Sequence, residues 1–303
     1  MTINYLKNSQ IDKTRWDQVI EASTNGRVYA CSWYLDRMAE QWDALVVGDY
    51  EMIMPLPWNR KYGIYYIYMP FYVQQLDIYS MQHISPEMYS TFVEAIPFKF
   101  RWIDLCLGIS EKLILKEGIQ TKLRTNYVLD LDRPYSEIYN GYRSDAKKKL
   151  QKNITFTYED RAEIQKVIHD YKLSVGKKLP DIKEQHFVRL GKALVEAQKR
   201  NYLLSAQIRD HHGVISATGL FLVYKKRAHY ILGSQTSKGR ETHASHYLLD
   251  HFFMTYCRHI QVFDFEGSDN PGIADFFKKW GAQIENYAQI SRILFPFNLW
   301  ALR

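Results

Sequence analysis

Two stretches of this chain echo each other at one fixed distance. Asp104 in "WIDLCLG" and Asp264 in "VFDFEGS" are 160 positions apart, and so are Asn126-Tyr127 and Asn286-Tyr287. The "ALVV" and "AQIR" stretches sit 162 apart. Element order repeats as well. In the first half, helical patterning over 12–22 and 32–40 leads into the strand-like runs "DALVV", "EMIMPLPW" and "IYYIYMPF". A helix over 85–96 and the strands "FRWIDLCLG" and "NYVLDL" follow. In the second half, a helix over 182–200 precedes "LLSAQIRD", "VISATGLFLVY" and "AHYILGSQ". A helix over 245–258 and the strands "QVFDFEG" and "NYAQISRIL" complete it. A tandem duplication accounts for both the spacing and the order. The expected fold is α/β (α+β), two copies of one unit, each a mixed, mostly antiparallel sheet flanked by helices. The charged, proline-containing "DLDRPYS" at 130–136 reads as the connector, giving halves of 1–133 and 134–303.

Bulk properties bound the function. At 303 residues and 46% hydrophobic content the chain buries a sizeable core. It has no apolar run of 18 residues, so no spanning helix and no stable membrane insertion are expected. The start, "MTINYLKNSQIDKTRWD", lacks the apolar stretch of a secretory signal, and a cytoplasmic location is expected. Cys31, Cys106 and Cys257 are far apart and form no CxxC pair, which argues against a disulfide framework and against a metal site. A formal charge of +7 favours anionic partners. The 23 tyrosines are spread along the whole chain and form no local stacking platform; with no RNP-like or zinc signature, an RNA-binding module is the weakest reading and DNA is not expected as a partner.

One corner carries the densest chemistry. In "FDFEGSDNPG", strand alternation puts Asp264, Glu266 and Ser268 on one face at the strand's C-terminal end, where α/β sheets bind ligands. Glu266 is the candidate proton acceptor or amine anchor. The alternative is structural: Asp264 caps a turn and Glu266 pairs with an arginine. The first half has Asp104, Cys106 and Gly108 at the matching places, so any chemistry is expected in the second half. In the basic helix over 141–153, Arg143 and Lys147 share a face with Ala146 and Leu150 and are candidates to meet a phosphate or carboxylate. Trp58, Gln74 and Gln75, from "MPLPW" and "MPFYVQQLDIYS", are candidates for an acceptor groove between the halves, as is Ser268; strand-edge roles are equally open to the glutamines.

Three segments give the chain a family resemblance. "YRSDAKKKLQKNITF", "THASHYLLDHFF" and "FDFEGSDNPGIADFFKKWGAQIENY" resemble the basic helix, the "YLL" helix and the glycine-aromatic ending of FemAB-like tandem GNAT proteins. The resemblance implies transfer of an acyl or aminoacyl group to a small-molecule or peptide amine. It also implies no bound cofactor, with acyl-CoA or aminoacyl-tRNA as co-substrate. GNAT enzymes that use CoA carry a loop of the form R/Q-x-x-G-x-G/A. The matching stretch here, from Arg240, reads Arg-x-x-His243-x-Ser245. On this resemblance Lys238, Gly239, Arg240 and Ser245, with Arg143 and Lys147, are the expected donor or phosphate contacts. His243 joins Glu266 and Asp264 as a catalytic candidate. The loss of both loop glycines keeps a second reading open, a binding protein that retains the tandem fold without catalysis.

Overall fold

The computed structural model describes residues 2–111, 113, 115–151, 155–176, 181–267 and 269–294. The chain forms two compact units. Met1–Arg124 with Asn286–Arg303 make the first, and Thr125–Glu285 the second. The connector expected at 130–136 lies inside the second unit, and the last strand contributes to the first.

The first unit opens with strand β1 (Ile3–Leu6), helices α1 (Lys13–Ala22) and α2 (Ser32–Met38), then β2 (Gln41–Val47), β3 (Met52–Lys61) and β4 (Ile64–Ile67). Asp12 starts α1 by accepting from the N–H groups of Thr14 and Arg15, and Trp16 and Ile20, one turn apart, are its buried face. β5 (Tyr79–Ser80), α3 (Pro86–Glu94), β6 (Phe100–Leu107) and β7 (Ile119–Asp130) follow. β1, β2, β3 and β4 pair antiparallel in sequence order, and β4 then pairs parallel with β6. β3 contains Pro55 and Pro57, a poor choice for a central strand. They sit where β3 has only β2 as a ladder partner, since β5 covers Met52–Ile53 and β4 covers Trp58–Lys61.

The second unit repeats the plan. Helices α4 (Tyr135–Asn140) and α5 (Ser144–Leu150) lead to β8 (Thr157–Glu159), α6 (Ile164–Ser174), α7 (Glu184–Lys199), β9 (Leu203–Arg209), β10 (Ile215–Tyr224) and β11 (Arg227–Gln235). Then come α8 (Ser237–Glu241), α9 (Ala244–Tyr256), β12 (Val262–Asp264), α10 (Pro271–Lys278) and β13 (Gln283–Ile293). β8, β9, β10 and β11 are antiparallel neighbours, and β11 pairs parallel with β12. Its core is aromatic: Phe221, Phe252, Phe253, Phe263 and Trp280 are each fully buried.

The last strands are exchanged. β12 pairs with the end of β7, Asp264 opposite Val128. In the first unit β6 pairs with β13, Asp104 opposite Ser291. Each aspartate takes a bond from an amide on its neighbour strand. Asn126 Nδ2 donates to Asp264 at 3.0 Å, and Gln289 Nε2 donates to Asp104 at 2.6 Å. The register therefore matches Asn126 with Gln289, three positions beyond the Asn286 that the sequence echo suggests. No helix among the described residues is long and apolar enough to cross a membrane.

Candidate functional site

Asp264 ends β12, and the strand alternation expected to carry Glu266 and Ser268 ends with it. Glu266 has a φ of +64° and Gly267 a φ of +59°, both left-handed, so the chain turns at once. Asp264 Oδ1 caps that turn by accepting from the Glu266 N–H at 2.9 Å. Its Oδ2 accepts from Arg227 Nε at 2.8 Å and Nη2 at 2.6 Å. Arg227 also binds both oxygens of Glu285. Burial works against the guanidinium charge, but Asp264 and Glu285 outweigh it and raise the Arg227 pKa. Asp264 is thus a structural anchor, and Ser268 lies outside the described residues.

Glu266 meets a histidine. Its Oε1 lies 2.7 Å from Nδ1 of His229, on the neighbouring strand β11. With Glu266 ionised, a carboxylate oxygen can only accept, which puts the imidazole hydrogen on Nδ1. His229 is 1% exposed and Glu266 18%, so the pair reaches solvent through the carboxylate. The sequence contained His229 inside "RAHYILG" but gave no reason to join it to Glu266; only the parallel register, His229 opposite Asp264, does so. Donor atoms of His229, Asp264 and Glu266 lie within 4.8 Å of one another, a spacing that suits a cation. A metal there would have to displace the Arg227 guanidinium from Asp264, so this arrangement suits a shared proton better.

Beyond His229 and Asp264, β11 and β12 share no paired residue, although β11 runs on to Gln235. β11 also carries a bulge. Leu220 faces Leu232 and Phe221 faces Tyr230, leaving Ile231 as the extra residue. Two cavities lie along this stretch. One, of about 280 Å³, is bounded by Tyr230, Gly233, Ser245, Ile273 and Phe276. A Cβ at Gly233 would sit 1.8 Å from the Tyr230 hydroxyl, so a side chain there would have to displace that ring. The other, of about 690 Å³, lies over Ser216 and Thr218, with α6 on its far side. Ser174, Ser234, Gln235 and Arg240 border both. Glu266 and His229 line neither cavity; Tyr230, the next residue along β11, lines the smaller one.

The structure separates the remaining candidates. Arg240 and Ser245 border the cavities. Gly239 packs against the Ser216 carbonyl, where a Cβ would lie 2.1 Å from the oxygen, and Lys238 pairs with Asp210 at 3.1 Å. His243 is the N-cap of α9 with a φ of +61°, so it keeps the left-handed backbone suited to glycine while bearing a side chain. Arg143 pairs with Asp275 at 2.9 Å, and Lys147 donates to the Asn140 carbonyl and lies over the Tyr139 ring. In the first unit, Trp58 joins a ring cluster with Tyr65 and Phe100, while Gln75 donates to Gln74 at 2.8 Å.

Solved structures place this architecture. FemX superimposes with a TM-score of 0.67 at 11% identity, over 95% of this chain and 97% of FemX. The fold is the tandem GNAT fold. A tandem GNAT protein from the clavulanic acid biosynthesis pathway matches at TM-score 0.54 and 10% identity, over 98% of this chain and all of that one. A Bacteroides thetaiotaomicron protein of unknown function matches at 0.61 and 10%, over 96% and 100%. No protein-family model and no curated protein matches the sequence.

Within this tandem GNAT fold the two units differ at the equivalent place. In the first unit β4 leaves β6 after Ile67, but Leu76 then bridges Leu107 in parallel. The Leu76 N–H donates to the Cys106 carbonyl at 2.9 Å and the Gly108 N–H to Leu76 at 3.0 Å. The gap is filled by the protein's own backbone. Cys106, at the place of Glu266, is a buried thiol whose pKa burial pushes up to about 12. The second unit keeps both the open strand end and an ionisable pair.

Proposed function

We propose that the second unit transfers an acyl or aminoacyl group from an activated donor to the amine of a small molecule or peptide. The observation that carries this reading is the Glu266–His229 pair at the point where β11 and β12 part, next to Tyr230, which with Arg240 borders the smaller cavity. A neutral amine attacks the acyl carbonyl. The new C–N bond forms as the donor's C–S or C–O bond breaks, the amine gives one proton to Glu266, and the leaving thiolate or alkoxide takes one up. Arg240 supplies a cation for a phosphate-bearing donor, either acyl-CoA or the 3′ end of an aminoacyl-tRNA.

The test is transfer to a panel of amines from radiolabelled acyl-CoAs and aminoacyl-tRNA, with Glu266→Gln alongside. Product formation that Glu266→Gln leaves at the wild-type rate sinks Glu266 as the base. The second reading is a binding protein that keeps the fold without transfer. His243 in the glycine position of the loop favours it, because its side chain crowds a pyrophosphate. Saturable CoA binding with no product from any amine would support that reading.

A further inference from the structure

On the face of the second sheet that α6 covers, one cross-strand row is polar across all four strands. Glu159 lies opposite Gln207, Gln207 opposite Thr218, and Thr218 opposite Ser234, across four strands. Directly opposed residues share a face. Gln207 Nε2 donates to Glu159, and the Thr218 and Ser234 hydroxyls are 2.9 Å apart. The next rows on this face are Ser205, Leu220 and Leu232, then Leu203, Leu222 and His229. The bulge at Ile231 is what brings Ser234 onto the face of His229. On the other face the same strands give Ala206, Ile208, Ala217 and Phe221 to the core. Of this row, Thr218 and Ser234 line the larger cavity. Thr218 and Ser234 are 1% and 6% exposed, positions where valine and alanine would fill the space without a polar group to satisfy. When one of two bonded hydroxyls donates to the other, the second keeps its own hydrogen, and lone pairs remain on both.

Resting on the reading of Arg240 as the anion anchor, we propose that Thr218 and Ser234 are the specificity-determining floor of this cavity, which takes a ligand with a hydroxyl-bearing buried end and one anionic group held by Arg240. Arg240 suits that task because it borders both cavities and its side chain has no hydrogen-bond or ion-pair partner among the described residues. The cavity holds about 690 Å³, room for a phosphorylated polyol or a larger ligand of that chemistry. A floor of hydroxyls disfavours an alkyl group of equal length, because a methylene covers the second hydroxyl's hydrogen and the remaining lone pairs without bonding them.

The test is calorimetric titration of the full chain with glycerol 3-phosphate and with propyl phosphate, equal in charge and length. The expected result is about a tenfold preference for glycerol 3-phosphate. The double variant Thr218→Val/Ser234→Ala is expected to abolish that preference while both phosphates still bind, and Arg240→Ala to weaken both. Thr218→Ser keeps a hydroxyl and is expected to keep the preference, which separates chemistry from a folding defect. Equal binding of the two phosphates by wild type, no binding of either at millimolar concentration, or an undiminished preference in the double variant would each overturn the proposal. Binding is read without turnover, so the result stands apart from the fate of Glu266 as a base.

Discussion

His229 Nδ1 lies 2.7 Å from Glu266 Oε1, and the two residues meet only because β11 and β12 run parallel with His229 opposite Asp264. Replacing Glu266 by Gln keeps the shape and removes the basic oxygen. Transfer should fall by about 10²–10⁴-fold, the range of a general base, with the melting temperature nearly unchanged. Wild-type turnover in a variant that melts normally would remove Glu266 from the chemistry.

Arg227 is the keystone of the ion cluster. It sits between Asp264, whose side chain is fully buried, and Glu285. Arg227→Met should leave the Asp264 charge uncompensated and cost about 3–5 kcal/mol, as removal of one partner of a buried pair does. Denaturant unfolding measures this directly; a loss under 1 kcal/mol would mean the cluster is not a buried pair.

Asp104 offers the control. Its partner is the neutral amide of Gln289, so Asp104→Asn leaves an acceptor oxygen in place and strands no buried charge. Turnover within about twofold of wild type and a stability change of about 1 kcal/mol or less are expected. A large loss of turnover in a well-folded Asp104→Asn protein would put chemistry in the first unit as well.

His246 gives a pH signature of stability. Burial, then the charges of Lys149, His243 and Lys279, push its pKa down to about 3, with Asp145 opposing. The folded state keeps this imidazole neutral while the unfolded chain, near 6.5, takes up a proton. Stability from this group is full above about pH 6.5 and is lost as pH falls toward 3. Buried Asp77, raised to about 6 chiefly by burial, works in the opposite sense over part of that window. The difference between wild type and His246→Gln cancels it. That difference should shrink steadily from pH 7 to pH 4; a constant difference would show that His246 titrates in the fold as it does in the unfolded chain.

Gly233 sits 1.8 Å, at its missing Cβ, from the Tyr230 hydroxyl, and Tyr230 stacks on Phe221 with ring centroids 5.2 Å apart. Gly233→Ala should therefore overpack the smaller cavity at a cost of about 1–3 kcal/mol. Thermal unfolding reads that cost, and an unchanged melting temperature would show that Tyr230 can move aside.

Local signals were sufficient for the repeated plan. Asp12 and Asn270 cap the helices they precede, and the helix-strand order follows hydrophobic periodicity and glycine placement. The basic segment over 141–153 was expected as one helix; α5 covers Ser144–Leu150 of it, and Arg143 and Lys147 are held there by Asp275 and the Asn140 carbonyl. α6 has no side-chain cap to mark its start in the sequence, although it forms one wall of the larger cavity. Ile273, which helical spacing assigns to the packed face of α10, is 45% exposed at the smaller cavity.

By itself the sequence determined the repeated plan and the α/β class, because these depend on periodicity and on residues near one another in the chain. The tertiary structure decided what Glu266 meets, which strand ends are filled and which face carries the hydroxyl row. Those outcomes rest on register. A parallel pairing joins His229 to Glu266 across 37 residues, a single bulge at Ile231 moves Ser234 to the face of Thr218, and Leu76 closes the first unit's gap with backbone hydrogen bonds. Backbone pairing of this kind leaves little trace in side-chain pattern, since every residue carries the same N–H and C=O groups.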